Sequence, residues 1–268
     1  MPFFAHDGAE LHYTDCGSGP PILFLHGLGG STDNWEAQVE HFAPLYRVIA
    51  LDMRGSGQSR DTNYADGPFT ALQFAADARA LLTHLRLAPV HVVGLSMGGA
   101  VAFQLAVDAP ALLRTMTICN SAPAFIVRGV RARATILLRR LITAIKGPSG
   151  MAHMLAPRLF PGAQHAALRE RFIAGMARNR PGAYAASQRA LFGWSVADKL
   201  ARIQVPKLVV GAEHDYPFLL DKQAWVSRMP KAELVVVPNT HHALPVEAPD
   251  AFNAVLGSFL ERHSHPPA

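Results

Sequence analysis

The chain has 268 residues, half of them hydrophobic and 17% charged, which suits one large globular α/β domain, or a core with an insertion. No uninterrupted apolar run is long enough to span a bilayer, and Cys16 and Cys119 are too few for a disulfide framework and fit no metal-ligand spacing. The net charge of +5 comes mostly from arginines scattered between Arg114 and Arg189, and no segment resembles a nucleic-acid-binding module.

The N-terminal MPFFAHDGAELHY has neither a basic region nor a continuous apolar one, so the expectation is a cytoplasmic protein. LHYTDC reads as an early strand, punctuated by the cluster GSGPP. ILFLH is a short apolar run of the kind buried on both faces of a sheet, and YRVIALD, VHVVGLS and MTICNS repeat it. Between them, TALQFAADARALLTHLRL and GGAVAFQLAVDAP have helical periodicity, the second closing at a proline. From about Pro123 to Leu200 the alternation stops. This stretch is rich in Arg, Ala and Leu, is broken by KGPSG, APRLFPG and NRPG, and holds no convincing strand. Its segment RGVRARATILLRR alternates basic and apolar residues as an amphipathic helix does, and is read as a solvated helix face in preference to a surface for membranes or acidic ligands. KLVVGAEHD, AELVVVPNT and DAFNAVLGSFLER then restore strand, strand and helix.

Alternating strands and helices predict an α/β fold with an open, doubly wound, mostly parallel sheet. Residues 1–122 and 201–268 form its core, and 123–200 form a helical cap. Ligands of such sheets bind outside the carboxyl ends of the strands, where the cap would cover them.

GLSMGG, between a β-branched strand and an apolar helix, contains G-x-S-x-G around Ser96. That pattern in that context is a nucleophile elbow: a tight turn with small neighbours that lifts a serine hydroxyl above the sheet. A serine hydroxyl needs a base to take its proton and an acid to orient that base. The loop after ILFLH begins His26-Gly27, so that the backbone N–H groups of Leu28 and Met97 are the expected oxyanion donors, with His26 a structural brace. Asp215 stands in the turn after a late strand and is preferred as the acid over Glu213, which falls earlier in the strand-to-turn transition. His241 and His242 share the loop after the last strand, and spacing alone does not choose between them. The order Ser, Asp, His is the one this fold uses.

These motifs resemble those of the α/β-hydrolases over nearly the whole chain. The likeness is strongest in LFLHGLGGSTDNW, LDMRGSGQS, GLSMGG, GAEHD and HHALPVEAPDAF. It implies that Asp52, Arg54 and Gly55 of the D-x-R-G-x-G-x-S loop brace the core near the site. Members place the histidine five positions before an acidic residue in E/D-x-P; Glu247-Ala248-Pro249 puts it at His242, with His241 where glycine is usual. The acid turn also departs from the common G-x-x-D, since Ala212 stands three before Asp215.

A serine at the elbow sets the chain apart from dehalogenase-like and epoxide hydrolase-like members, which use aspartate. The resemblance therefore implies a serine hydrolase of carboxylic esters with Ser96, Asp215 and His242 as its triad. Lactonase, thioesterase and carbon–carbon bond hydrolase are the alternatives within the fold, and a slow-turnover ligand-binding receptor is the alternative outside enzymes proper. The expected partner is a small-molecule ester, and the chemistry needs neither metal nor organic cofactor. Trp35, Phe125, Leu159, Phe160, Trp194, Tyr216 and Phe218 are the candidates for an apolar substrate pocket.

Overall fold

The apolar runs become strands whose residues alternate between two buried faces. They are β1 (Phe3–His6), β2 (Ala9–Cys16), β3 (Pro21–Leu25), β4 (Arg47–Leu51), β5 (Arg60–Asp61), β6 (Val90–Leu95), β7 (Leu113–Cys119), β8 (Lys207–Ala212) and β9 (Ala232–Val237). The main helices are α1 (Glu36–Phe42), α2 (Ala71–His84), α3 (Met97–Asp108), α4 (Val130–Leu159), α5 (Ala166–Ala177), α6 (Pro181–Leu191) and α7 (Pro249–Ser264). The computed structural model describes residues 2–61, 69–216 and 221–264.

The sheet runs β1-β2-β4-β3-β6-β7-β8-β9, with β5 paired to β2. From β4 to β9 all neighbours are parallel, as the strand–helix alternation predicts. The β1–β2 edge is antiparallel for local reasons. Asp7 and Gly8, with φ of 44° and 73°, make a two-residue hairpin turn. Residues 17–20, between β2 and β3, are too few for a helical crossover.

On β3, Leu23 and Leu25 join the core layer beneath α2 and α3, while Ile22 and Phe24 join the layer beneath α1 and α7. Both layers are buried and apolar, which explains why the central strands read as unbroken apolar runs. The carboxyl ends of β3, β6, β7, β8 and β9 lie along one rim of the sheet.

The stretch without strands is a helical insertion, α4–α6, between β7 and β8. An isolated bridge, Ala124 to Ser195, joins its two ends. The KGPSG segment interrupts α4, as the sequence suggests: Gly147, at φ 63° and ψ −167°, is non-helical, and α4 is two helical pieces that meet there at a kink. Several side chains tie the insertion to the core, Arg171 on Glu36 among them. Arg178 pairs with Asp33 at 2.7 Å, Asn179 Nδ2 donates to the Gly29 carbonyl at 3.0 Å, and Trp194 Nε1 donates to Gln104 Oε1 at 2.8 Å.

Candidate active site

Ser96 sits between β6 and α3 with φ 53° and ψ −111°, outside the left-handed basin that non-glycine residues sometimes occupy. Packing enforces this turn. A Cβ on Gly94 would strike the Gly98 carbonyl, and one on Gly98 would strike the Leu25 carbonyl of β3. These two positions must therefore be glycine for helix and strand to approach this closely. Hydrogen bonds fix the serine's own backbone: its N–H donates to the Cys119 carbonyl at 2.9 Å, and its carbonyl accepts from Ser121 Oγ at 2.6 Å.

The β3 loop comes within van der Waals range of the elbow; a Cβ on Gly27 would lie 3.5 Å from that of Ser96. The Leu28 and Met97 N–H groups donate to no acceptor among the described residues. Met97 opens α3, where the helix dipole adds positive potential. Its side chain is in the core, so its backbone is the part that bears on the site. His26 is buried with both ring nitrogens engaged: Nδ1–H donates to the Gly27 carbonyl at 2.7 Å, and Nε2 accepts from the Met53 N–H at 3.0 Å. Burial pushes its pKa down, against a smaller opposing pull from Asp52. It is a neutral brace for the loop. Asp52 accepts from Thr32 N–H at 2.6 Å, Gln58 N–H at 2.8 Å and His12 Nδ1 at 2.8 Å. Arg54 is buried against Asp77, with contacts of 2.8 and 3.1 Å, and Gly55 turns the loop at φ 73°.

The two histidines separate cleanly. His242 Nδ1 donates to Asp215 Oδ1 at 2.6 Å, whereas His241 Nδ1 meets Glu247 at 2.7 Å and its backbone N–H donates to the same carboxylate at 2.6 Å. Asp215 is buried and also accepts from the Tyr216 N–H at 2.8 Å and from Lys222 Nζ at 3.0 Å. Burial alone would raise its pKa; the His242 hydrogen bond and the His242 and Lys222 charges outweigh burial and hold it below the ordinary carboxylate value. Glu213 is half exposed and caps the β9 loop through the Asn239 N–H.

Two residues of this arrangement were not singled out from sequence. Lys222 is one. Asn120, just past β7 with φ 44°, is the other. Its Nδ2 lies 3.3 and 3.0 Å from the His241 and His242 carbonyls, and its Oδ1 accepts from the Ala212 N–H at 2.8 Å. One amide thus ties the histidine loop to the strand that carries the acid. Asn120→Ala is expected to cost about 1–3 kcal/mol of stability, from stranded buried polar groups. It should also lower kcat by roughly ten- to a hundredfold through misplacement of the imidazole. Urea unfolding and steady-state kinetics on the same preparation measure both.

Ser96 and His242 line one cavity of about 520 Å³ under the insertion, a size typical of small-molecule sites. Leu28, Leu159, Phe160 and Tyr216 also line it, and the Tyr216 ring lies 4.4 Å from that of His242, centroid to centroid. Three candidate pocket residues lie elsewhere. Trp35 turns inward from a 3-10 turn onto Phe24 and is fully buried in the core. Phe125 and Trp194 pack on each other at the junction of insertion and core, where Trp194 is held by Gln104. Phe218 lies outside the described residues.

The cavity wall also holds polar groups. Tyr184 and Gln188, one turn apart on α6, are at most 3% exposed, and their side chains make no hydrogen bond among the described residues. Burial pushes the Tyr184 phenol up, leaving it a neutral donor. Arg139 of α4 joins them, its guanidinium 5.8 Å from the centre of the Tyr216 ring and without a carboxylate partner among the described residues.

The family model of the alpha/beta hydrolase fold matches residues 20–249. The chain is 32% identical to the putative carbamate hydrolase RutD of Azorhizobium caulinodans, over 97% of this chain and 98% of that one. It is 29% identical to 3-oxoadipate enol-lactonase 2 of Acinetobacter baylyi, over 94% and 93%. Among solved structures, the malate-bound thermophilic esterase from Thermogutta terrifontis superposes with a TM-score of 0.86 at 26% identity, covering 96% of this chain and 95% of that one. With a matched model across most of its length and a relative above 30% identity, this chain belongs to the alpha/beta hydrolase fold family.

Proposed function

We propose that the chain is a serine hydrolase of carboxylic esters that works through an acyl-enzyme. The observation that carries this reading is the linked pair Asp215–His242, at 2.6 Å, beside a conformationally strained Ser96 in the wall of the same cavity. His242 takes the Ser96 proton as Oγ attacks the ester carbonyl. The Leu28 and Met97 N–H groups receive the developing oxyanion. His242 then returns the proton to the departing alcohol as the carbon–oxygen bond breaks. In the second half, His242 takes a proton from water, hydroxide adds to the acyl carbon, and the acid leaves as Ser96 recovers its proton. Asp215 holds the imidazole in the Nδ1–H tautomer throughout and stabilises its cationic form. The esterase and lactonase relatives support ester-type bonds as the target class.

The test is steady turnover of p-nitrophenyl butyrate, together with covalent labelling by a p-nitrophenyl phosphonate. The reading expects one phosphonyl group per chain, located by mass spectrometry on the peptide containing Ser96. Turnover without labelling, or labelling on another residue, would sink it.

The polar wall refines the substrate. Arg139 with the Tyr184 and Gln188 groups suits an ester bearing a carboxylate. Arg139→Gln is expected to lower kcat/KM for mono-p-nitrophenyl glutarate by roughly tenfold or more, the worth of one hydrogen bond to a charged group. Its effect on neutral p-nitrophenyl butyrate should stay small. Equal losses on both esters would show that Arg139 only props the insertion.

A further inference from the structure

The outer face of α4 plays no part in the site. Along the first half of this helix, Ala132, Ile136, Arg139 and Thr143 turn inward, half-buried or buried. Opposite them stand Val130, Leu137, Leu138, Leu141 and Ile145, all exposed, from 52% at Leu138 to 83% at Val130. At 100° per residue these five fall on one continuous stripe. Basic residues border it on both sides: Arg131 and Lys146 along one flank, Arg133 and Arg140 along the other. None of the four makes an ion pair among the described residues. No aspartate or glutamate occurs anywhere between Asp108 and Glu170. The basic–apolar alternation read from sequence as a solvated face thus turns its leucines, and not only its arginines, to the outside.

We propose that this face docks on an anionic lipid bilayer. α4 would lie in the plane of the interface, with Leu137, Leu138 and Leu141 among the upper acyl chains and the flanking cations at the phosphate level. Charge selects this partner over the others. A second copy pairing stripe to stripe would bring two like-charged arginine rows together, with no acid on the helix to relieve them. A nucleic acid would use the arginines but leave the leucines in water. No helix among the described residues is long and apolar enough to cross a membrane, so α4 lies on the bilayer and does not span it. Because Arg139 on the inner side of the same helix lines the cavity, docking would hold that cavity against the bilayer. The inference is independent of the esterase reading.

The experiment is co-sedimentation of the full chain with vesicles of phosphatidylcholine, with and without phosphatidylglycerol, at low and physiological salt. The wild type is expected in the pellet with the anionic vesicles and in the supernatant with the neutral ones, its binding weakened by salt. Two surface variants separate the contributions: Leu137→Gln with Leu141→Gln, and Arg133→Gln with Arg140→Gln. Each is expected to cut partitioning by roughly tenfold while circular dichroism and hydrolysis of a soluble ester stay at wild-type levels. A wild type that remains in the supernatant with anionic vesicles at low salt overturns the proposal. So does binding that survives loss of the two leucines, which would mean charge attraction alone. Light scattering that shows a dimer dissolved by the leucine substitutions would instead assign the face to a second copy.

Discussion

Ser96→Ala is expected to lower kcat on p-nitrophenyl butyrate by about a millionfold, the scale found when a triad nucleophile is removed. The Leu28 and Met97 N–H groups proposed as oxyanion donors, and the cavity, survive the change, so residual catalysis over water of about a thousandfold should persist. The same position allows a second test. Alanine keeps the Cβ and with it the conflict at φ 53°, whereas glycine removes it. Ser96→Gly should therefore be more stable than Ser96→Ala by about 1 kcal/mol, after allowing for glycine's larger unfolded-state entropy. Urea unfolding of the two inactive variants measures that difference. Steady turnover by Ser96→Ala, above any contaminating esterase, would remove Ser96 as nucleophile. Equal stability of the two variants would mean that the elbow stores no strain.

Much of this architecture is legible along the chain because it is written in local pattern. Unbroken apolar runs mark strands buried on both faces, and the glycines around Ser96 mark a close approach that the Leu25 carbonyl indeed imposes on Gly98. Features that depend on which way a side chain turns are not legible in this way. Trp35 and Phe160 are both aromatic, both near a motif and both buried, yet one faces Phe24 in the core and the other the cavity. Arg139 and Arg140 are neighbours in one basic run, but the helix carries the first to the cavity wall and the second to the outer flank. Spacing alone does not separate the histidines; the resemblance points to His242, and in the structure each histidine has its own carboxylate. Asn120 and Lys222 carry no sequence signal at all. Their roles arise only when β7, β8 and the histidine loop meet at the rim.

Lys222 offers the second large effect. Its ammonium and the Asp215 carboxylate are both almost wholly buried, 3.0 Å apart, so neither charge has water to fall back on. Removing the ammonium leaves the buried Asp215 carboxylate with its His242 and Tyr216 hydrogen bonds but short of a buried charge partner, and Lys222→Met is expected to destabilise the fold by about 3–5 kcal/mol at neutral pH. The sign of its pH dependence follows from Asp215. Because that carboxyl is held below its unfolded value, near 4, it contributes stability that is complete above that value and fades as pH falls through the folded one. Lys222 supplies part of that depression. The gap between wild type and Lys222→Met should accordingly be widest at neutral pH and narrow in acid, where protonation of Asp215 removes the negative charge that the wild-type ammonium faces. Urea midpoints for both proteins from neutral pH down into the acid range give the curve. A gap that stays constant with pH would mean that Lys222 stabilises the fold through its packed stem on Gly211 and not through the Asp215 carboxylate.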